Sequence, residues 1–305
     1  MTSAGFRSTA AAAAPSLRYS PPGRKRPGFG PIRHQNLAGT RDARFAIALR
    51  RTVFAQRFDG RIQILVGIDR WQGDRAGFEQ LRNAAPSHVA ITTVDLGYST
   101  SQRNGGVYPS HYGGALKTIL SYAANSQRVT YLDDDNWYAP DHLATMLPAM
   151  AGKAWAFSLR QFVDGQTGDV LCADTWESLG PGRGVYANAQ GGFVDTNCYF
   201  IDKLACNDVF PEWAMTRFAG GTGGDRQVLD KLRGRPFGTN DAHTLFYRTR
   251  LAGQHPYLLW RFKCAGVDLT RYMPPNTVPN EAVWRQCDRV RSRPRHCGMN
   301  AGTRR

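Results

Sequence analysis

From residue 62 to residue 132 the chain alternates short apolar runs with amphipathic stretches. Ile62-Gln63-Ile64-Leu65-Val66-Gly67-Ile68 is apolar and β-branched almost throughout, which predicts a strand buried on both faces and ending at Asp69. The next stretch places Phe78 and Leu81 on one face and has Asp74 where an N-cap belongs, so a helix of about ten residues is expected. His88–Val94 reads as a second strand, and a Gly/Ser/Asn/Tyr-rich loop runs from Gly97 to Gly114. Ala115, Leu116, Ile119, Leu120 and Ala123 then recur at helical spacing, and Arg128–Leu132 is a third strand. Strand, helix, strand, helix, strand predicts a parallel sheet. Phe45, Ile47, Ala48, Leu49, Val53 and Phe54 predict a further helix from Asp42 to Gln56. Val228, Leu229 and Leu232 mark a late helix, and Ala242–Tyr247 the last clear strand.

The third strand runs directly into Asp133-Asp134-Asp135-Asn136-Trp137-Tyr138. Beyond it Pro140 suits the first turn of a helix. Three carboxylates therefore stand where a strand stops, the edge at which open parallel sheets bind ligands. Like charges this close raise each other's pKa unless a cation answers them. A hard ion such as Mg²⁺, held by one or two carboxylates and by substrate phosphates, fits that need. An isolated acidic triplet is more often a solvated turn, but the strand and helix order around this one favours a nucleotide site.

Composition narrows the field. A chain of 305 residues with 42% hydrophobic content can bury one large α/β domain or two small ones. The net charge of +15 resembles that of a nucleic-acid binder until it is mapped. Residues 1–41 hold seven Lys or Arg and no acid, and 282–305 hold seven Arg against Asp288 alone, which leaves +2 on residues 42–281. The body is nearly neutral, and no nucleic-acid partner is expected. Six cysteines occur without a CxxC pair, so free thiols in a reducing, cytoplasmic compartment are expected rather than zinc or a disulfide framework. No apolar run approaches the roughly 18 residues of a membrane span. Contact between the basic C-terminal tail and an anionic membrane is the remaining peripheral option. The expected organisation is a disordered basic tail over 1–41, a domain over 42–255 with halves 42–135 and 136–255, and an extension over 256–305 that is flexible from about 282.

Gln56 to Asp69, the helix at Tyr112–Ala124, and Val129-Thr130-Tyr131-Leu132-Asp133-Asp134-Asp135-Asn136-Trp137 together resemble a family-2-type glycosyltransferase of the GT-A fold. Gln190-Gly191-Gly192-Phe193-Val194-Asp195-Thr196-Asn197 and Gly223-Gly224-Asp225-Arg226-Gln227 are similar to later motifs of that family, and the likeness covers roughly residues 44–250. It implies a Rossmann-like α/β fold with a mostly parallel sheet flanked by helices. It also implies inverting, metal-dependent transfer from a nucleotide-sugar donor to a hydroxyl of a glycan, lipid-linked or small-molecule acceptor. By the same resemblance Asp69 accepts a hydrogen bond from the nucleobase, Asp133 meets the ribose or the metal shell, and Asp135 ligates Mg²⁺ or Mn²⁺. Asp225 is the general base, with Asp174, Glu177 and Asp195 as alternatives, and Trp137 and Asp195 are candidate substrate contacts. Asp225 as a simple helix N-cap is the bland reading of that residue. His243 reads as packing or surface in preference to an extra metal ligand, and Lys117 and Arg103 as solvated surface in preference to phosphate contacts.

Two departures stand out. Family members more often have Glu before the Asp of the late helix, where this chain has Gly224. The family's first strand should precede the helix at Ala43–Gln56, yet Arg33–Arg41 and the basic, Pro/Gly-rich segment before it show no strand pattern. The first strand is therefore expected to be missing or altered. A non-catalytic nucleotide- or glycan-binding remnant is accordingly the competing expectation.

Overall fold

A computed structural model of the chain describes residues 29–35, 50–69 and 75–292. The expectations for the rest of the N-terminal tail, for the helix start at Asp42, for Asp74 as a cap and for residues beyond 292 lie outside the described residues. Eleven strands follow in order: β1 Phe29–Gln35, β2 Ile62–Ile68, β3 Val89–Asp95, β4 Arg128–Asp133, β5 Trp137–Tyr138, β6 Trp155–Asp164, β7 Val170–Ala173, β8 Gly180–Pro181, β9 Gly192–Phe193, β10 Tyr199–Asp202 and β11 Phe237–Thr249. The α-helices are α1 Arg75–Asn83, α2 Gly114–Ala123, α3 His142–Ala149, α4 Ala187–Gln190, α5 Gly224–Leu232, α6 Pro256–Cys264 and α7 Glu281–Ser292. Helix α7 occupies the start of the stretch expected to be flexible.

One large sheet runs β3-β2-β1-β4-β10-β6-β11-β5, with β7 added against β6. The half from β3 to β4 is parallel, as the alternation of strands and helices requires. The expectation of a mostly parallel sheet is corrected beyond β4, because β10 enters antiparallel to both β4 and β6, and β5 and β7 are antiparallel to their neighbours. The sheet is mixed. Tyr199-Phe200-Ile201-Asp202 is apolar on both faces, and such a run carries no signature of its direction.

The first strand is present, which corrects the expectation that it is missing. Phe29–Gln35 lies between β2 and β4, parallel to both. Gly30 and Pro31 hide it from a reading of apolar pattern, since proline has no N–H to give a ladder. The pairing with β2 skips those two residues, while the pairing with β4 runs unbroken from Phe29 to His34. The end of β1 is thus set between the ends of β2 and β4, with His34 beside Asp133 and Gln35 beside Ile68.

Alternation along the strands divides the core. Ile62, Ile64, Val66 and Ile68 of β2 pack with Phe78 and Leu81 of α1 and Leu143 and Met146 of α3 on one face. Tyr131 of β4, Trp155 and Phe157 of β6, and Tyr199 of β10 pack with Leu120 of α2, Trp213, and Val228, Leu229 and Leu232 of α5 on the other. A third cluster joins Phe162 and Trp176 to α6 and α7. Among the described residues no helix is long and apolar enough to cross a membrane, and the five cysteines are free.

Helix α2 sits close to the main chain at Trp213, and this contact needs a glycine. A Cβ built on Gly114 would stand 1.6 Å from the Trp213 carbonyl oxygen, which is backbone and cannot turn aside. Gly114→Ala is expected to lower stability by about 1–3 kcal/mol, the usual cost of overpacking. Urea unfolding measures it, and a variant as stable as the parent would show that α2 is free to move away.

Candidate active site

The carboxyl end of β4 opens onto a cleft of about 710 Å³. Its wall includes Asp133 at the end of β4, Asp134 and Asp135 just after it, Asp195 after β9, Lys117 on α2, and Asp225 and Arg226 at the start of α5. The acidic turn is held from behind by buried Asn136, whose N–H donates to the Asp133 carbonyl at 3.2 Å and whose Oδ1 accepts from the Arg248 N–H of β11 at 2.9 Å.

Asp133 is tied down on both sides. Lys117 Nζ lies 3.3 Å from one carboxylate oxygen, and Asn197 Nδ2 donates to the other at 3.0 Å. The Asn197 Oδ1 also accepts from the Asp133 backbone N–H, and its Nδ2 reaches Asp195 Oδ1 at 2.8 Å, so one amide bridges two acids. The expectation that Lys117 is solvated surface is corrected, because only 5% of it is exposed. Its helical spacing with Leu120 and Ser121, both buried on the same face, was the available signal. Asp135 forms no ion pair among the described residues. The protein packed around it, and then the Asp133 charge, push its pKa up to about 6. Asp135 still presents surface to solvent, so water in the cleft screens part of that effect.

A buried arginine holds the opposite wall. Arg160 of β6 pairs with Asp174 at 2.8 Å, with Asp195 at 2.6 Å and with Glu177. Burial works against its charge, but Asp195, Asp174 and Glu177 together outweigh it and hold its pKa well above the usual value. A charged residue within the apolar run Trp155–Asp164 was the sequence signal for this cluster. Asp174 also accepts from the N–H groups of Trp176, Glu177 and Ser178, which leaves it little capacity as a base.

Asp225 occupies the first turn of α5, one position beyond Gly224, while Gly223 is the N-cap. It is therefore not the cap of that helix. Its carbonyl accepts from the Tyr199 hydroxyl at 2.9 Å, which anchors the turn to β10. The protein around the carboxyl, and then the Asp195 charge, raise its pKa to about 6, against the opposing pull of the Arg226 N–H and guanidinium. Asp225 is itself half-buried, so cleft water again screens part of the shift.

Asp133, Asp135, Asp195 and Asp225 thus meet in one cleft. Asp69 is buried at the end of β2 and does not line the described wall, and its Oδ1 has no hydrogen-bond partner among the described residues. Trp137 stacks on Phe246, with centroids 5.3 Å apart, and lies under Arg248, also outside the cleft wall. Arg103 lines the cleft as an exposed side chain. His243 lies in β11 at a shift of register, with its carbonyl accepting from Gln161.

No family model matches the sequence, and no curated protein sequence matches it. Solved structures do match. S. aureus TarS residues 1–349 in complex with UDP superposes with a TM-score of 0.52 at 10% identity, covering 78% of this chain and 63% of that one. The complex of the same protein with UDP-GlcNAc gives 0.51 at 11% identity, covering 86% and 70%. TarS 1–349 alone gives 0.51 at 10% identity, covering 90% and 75%. The chain therefore spans less than two thirds of the first of these. Over most of its own length it shares the fold of GT-A glycosyltransferases.

Proposed function

We propose that the chain is a metal-dependent, inverting glycosyltransferase that moves a sugar from a nucleotide-sugar donor to an acceptor hydroxyl. The observation that carries this reading is one cleft holding Asp133 and Asp135 at the end of β4 and Asp225 at the start of α5. The shared fold supports it, and the TarS complexes with UDP and UDP-GlcNAc favour a nucleotide sugar as the donor class.

The donor set fits a hard divalent cation. No group of three or more His, Cys, Asp or Glu able to hold a metal forms among the described residues. Mg²⁺ needs only one or two carboxylates when phosphates and water complete its shell. Asp135 has no protein cation paired with it and stands close enough to Asp133 for that charge to raise its pKa. Asp135 and Asp133 would hold Mg²⁺ or Mn²⁺, and the bound ion would supply Lewis-acid stabilisation of the departing diphosphate.

The chain's own residues do the rest. Asp69 offers its unspent Oδ1 to a nucleobase N–H. Lys117 fixes the Asp133 carboxylate at the β4 end. Asp225 takes the proton of the acceptor hydroxyl as its oxygen bonds to the anomeric carbon and the bond from that carbon to the diphosphate breaks. The remnant reading rested on a missing first strand, and β1 removes that ground.

Asp225→Asn keeps the shape but cannot take a proton, so transfer should fall by about 10²–10⁴-fold with donor affinity and melting temperature unchanged. A base works only when ionised, so transfer by the parent should decline as pH falls through about 6 and level off above it. Mass spectrometry of products from a panel of nucleotide sugars reads both effects. Near-parental transfer by Asp225→Asn would remove the base assignment.

Asp135→Ala should abolish metal-supported turnover and retain the fold, and Asp134→Ala should do far less. A chelator should stop the parent, and added Mn²⁺ should restore it. Full activity of both variants under saturating Mn²⁺ would end the metal assignment.

A further inference from the structure

Arg226 is a half-buried cation of this cleft that the reaction above leaves unused. Its guanidinium carbon lies 4.8 Å from the ring centroid of Tyr186, 5.6 Å from Phe218 and 5.8 Å from Phe193. Three aromatic rings thus hold it in place, and among the described residues its guanidinium forms neither an ion pair nor a hydrogen bond. Arg160 is the contrast, since it spends its N–H groups on three carboxylates. A planar fork of donors, set among aromatic rings and without an ion pair among the described residues, is prepared for a carboxylate or a phosphate.

Its position says which part of a substrate that group belongs to. Arg226 lines the main cleft and also a second hollow of about 330 Å³. None of Asp69, Lys117, Asp133 and Asp135, the residues assigned to the donor side, lines that hollow. Arg217 and Arg233 do, with Asp230 as the one acid in its wall. Asp230 pairs with Arg217 and stands 3.4 Å from Arg233, so the wall keeps a surplus of positive charge. Gly191 lets Arg233 lie against the main chain, where a Cβ would come within 2.3 Å of its Nη1.

We propose that Arg226 reads the acceptor, and that the acceptor carries an anionic group, phosphate or carboxylate, near the hydroxyl that is glycosylated. This rests on the glycosyltransferase reading, because Asp225, the residue before Arg226, is where the acceptor hydroxyl must arrive. The anionic group enters the second hollow and closes on the Arg226 fork. A neutral sugar would leave that fork unpaired.

Calorimetric titration of the intact chain with glucose 6-phosphate, glucuronate and glucose tests this, each run with and without a saturating nucleoside diphosphate. The expected result is that at least one anion binds about ten- to a hundredfold more tightly than glucose, the range for a charge-assisted hydrogen bond, and binds alongside the nucleotide. Which anion prevails separates phosphate from carboxylate. Arg226→Gln should erase the preference and leave nucleotide affinity within twofold. Arg226→Lys, which keeps the charge but not the fork, should retain only part of it, and it decides the matter if the Gln variant fails to fold. Equal binding of all three sugars, a preference that survives Arg226→Gln, or competition between anion and nucleotide would overturn the proposal. A chain that binds no nucleoside diphosphate would overturn the glycosyltransferase reading instead, and the runs without nucleotide would still decide the role of Arg226.

Discussion

Five carboxylates line one cleft, and the local structure answers the mutual repulsion of four of them, Asp133, Asp135, Asp195 and Asp225. Lys117 neutralises Asp133 from α2, Arg160 neutralises Asp195 from β6, and the Asn197 amide bridges the two acids. Both cations are buried, so each depends on its carboxylate as much as the carboxylate depends on it. Asp135 and Asp225 are left without an ion pair among the described residues, and both have pKa values raised to about 6. Asp133 and Asp195 are each paired with a buried cation, and among the described residues Asp135 and Asp225 are not. That division separates the charges that hold the cleft together from those free to act.

The sheet makes the division possible. Strand β1 brings β2 and β4 into one parallel array, so Asp69 and Asp133 lie at the same edge. Strand β10, running the other way between β4 and β6, carries the Tyr199 hydroxyl to the Asp225 carbonyl and fixes the start of α5 against the sheet. The close approach of α2 to Trp213 at Gly114 sets the depth at which Lys117 meets Asp133.

Much of this was legible in the sequence because it is local. Strands β2 and β4, helices α1 and α2 and the acidic turn follow from runs and periodicities a few residues long, and their bounds in the structure fall within a residue or two of those expected. What escaped depends on partners distant along the chain. Strand β1 is interrupted by Gly30 and Pro31, and only its neighbours on both sides make it a strand. The direction of β10 is set by what it pairs with. Lys117 resembled a surface lysine until Asp133, sixteen residues on, arrived beside it. Arg160 likewise makes sense only with Asp174, Glu177 and Asp195, which come from a later loop and strand end. The acidic residues announce the site, and the cations and the amide that arrange them become visible only in three dimensions.

The central claim is that the end of β4 holds the diphosphate of a nucleotide sugar on a divalent ion at Asp135. A crystal of the chain grown with Mn²⁺ and a nucleoside diphosphate, measured for anomalous scattering, tests it most directly. The account predicts a Mn²⁺ peak bonded to the Asp135 carboxylate and to diphosphate oxygens inside the cleft. A nucleotide bound outside the cleft, or Mn²⁺ bound away from Asp135 with the nucleotide in place, would contradict it.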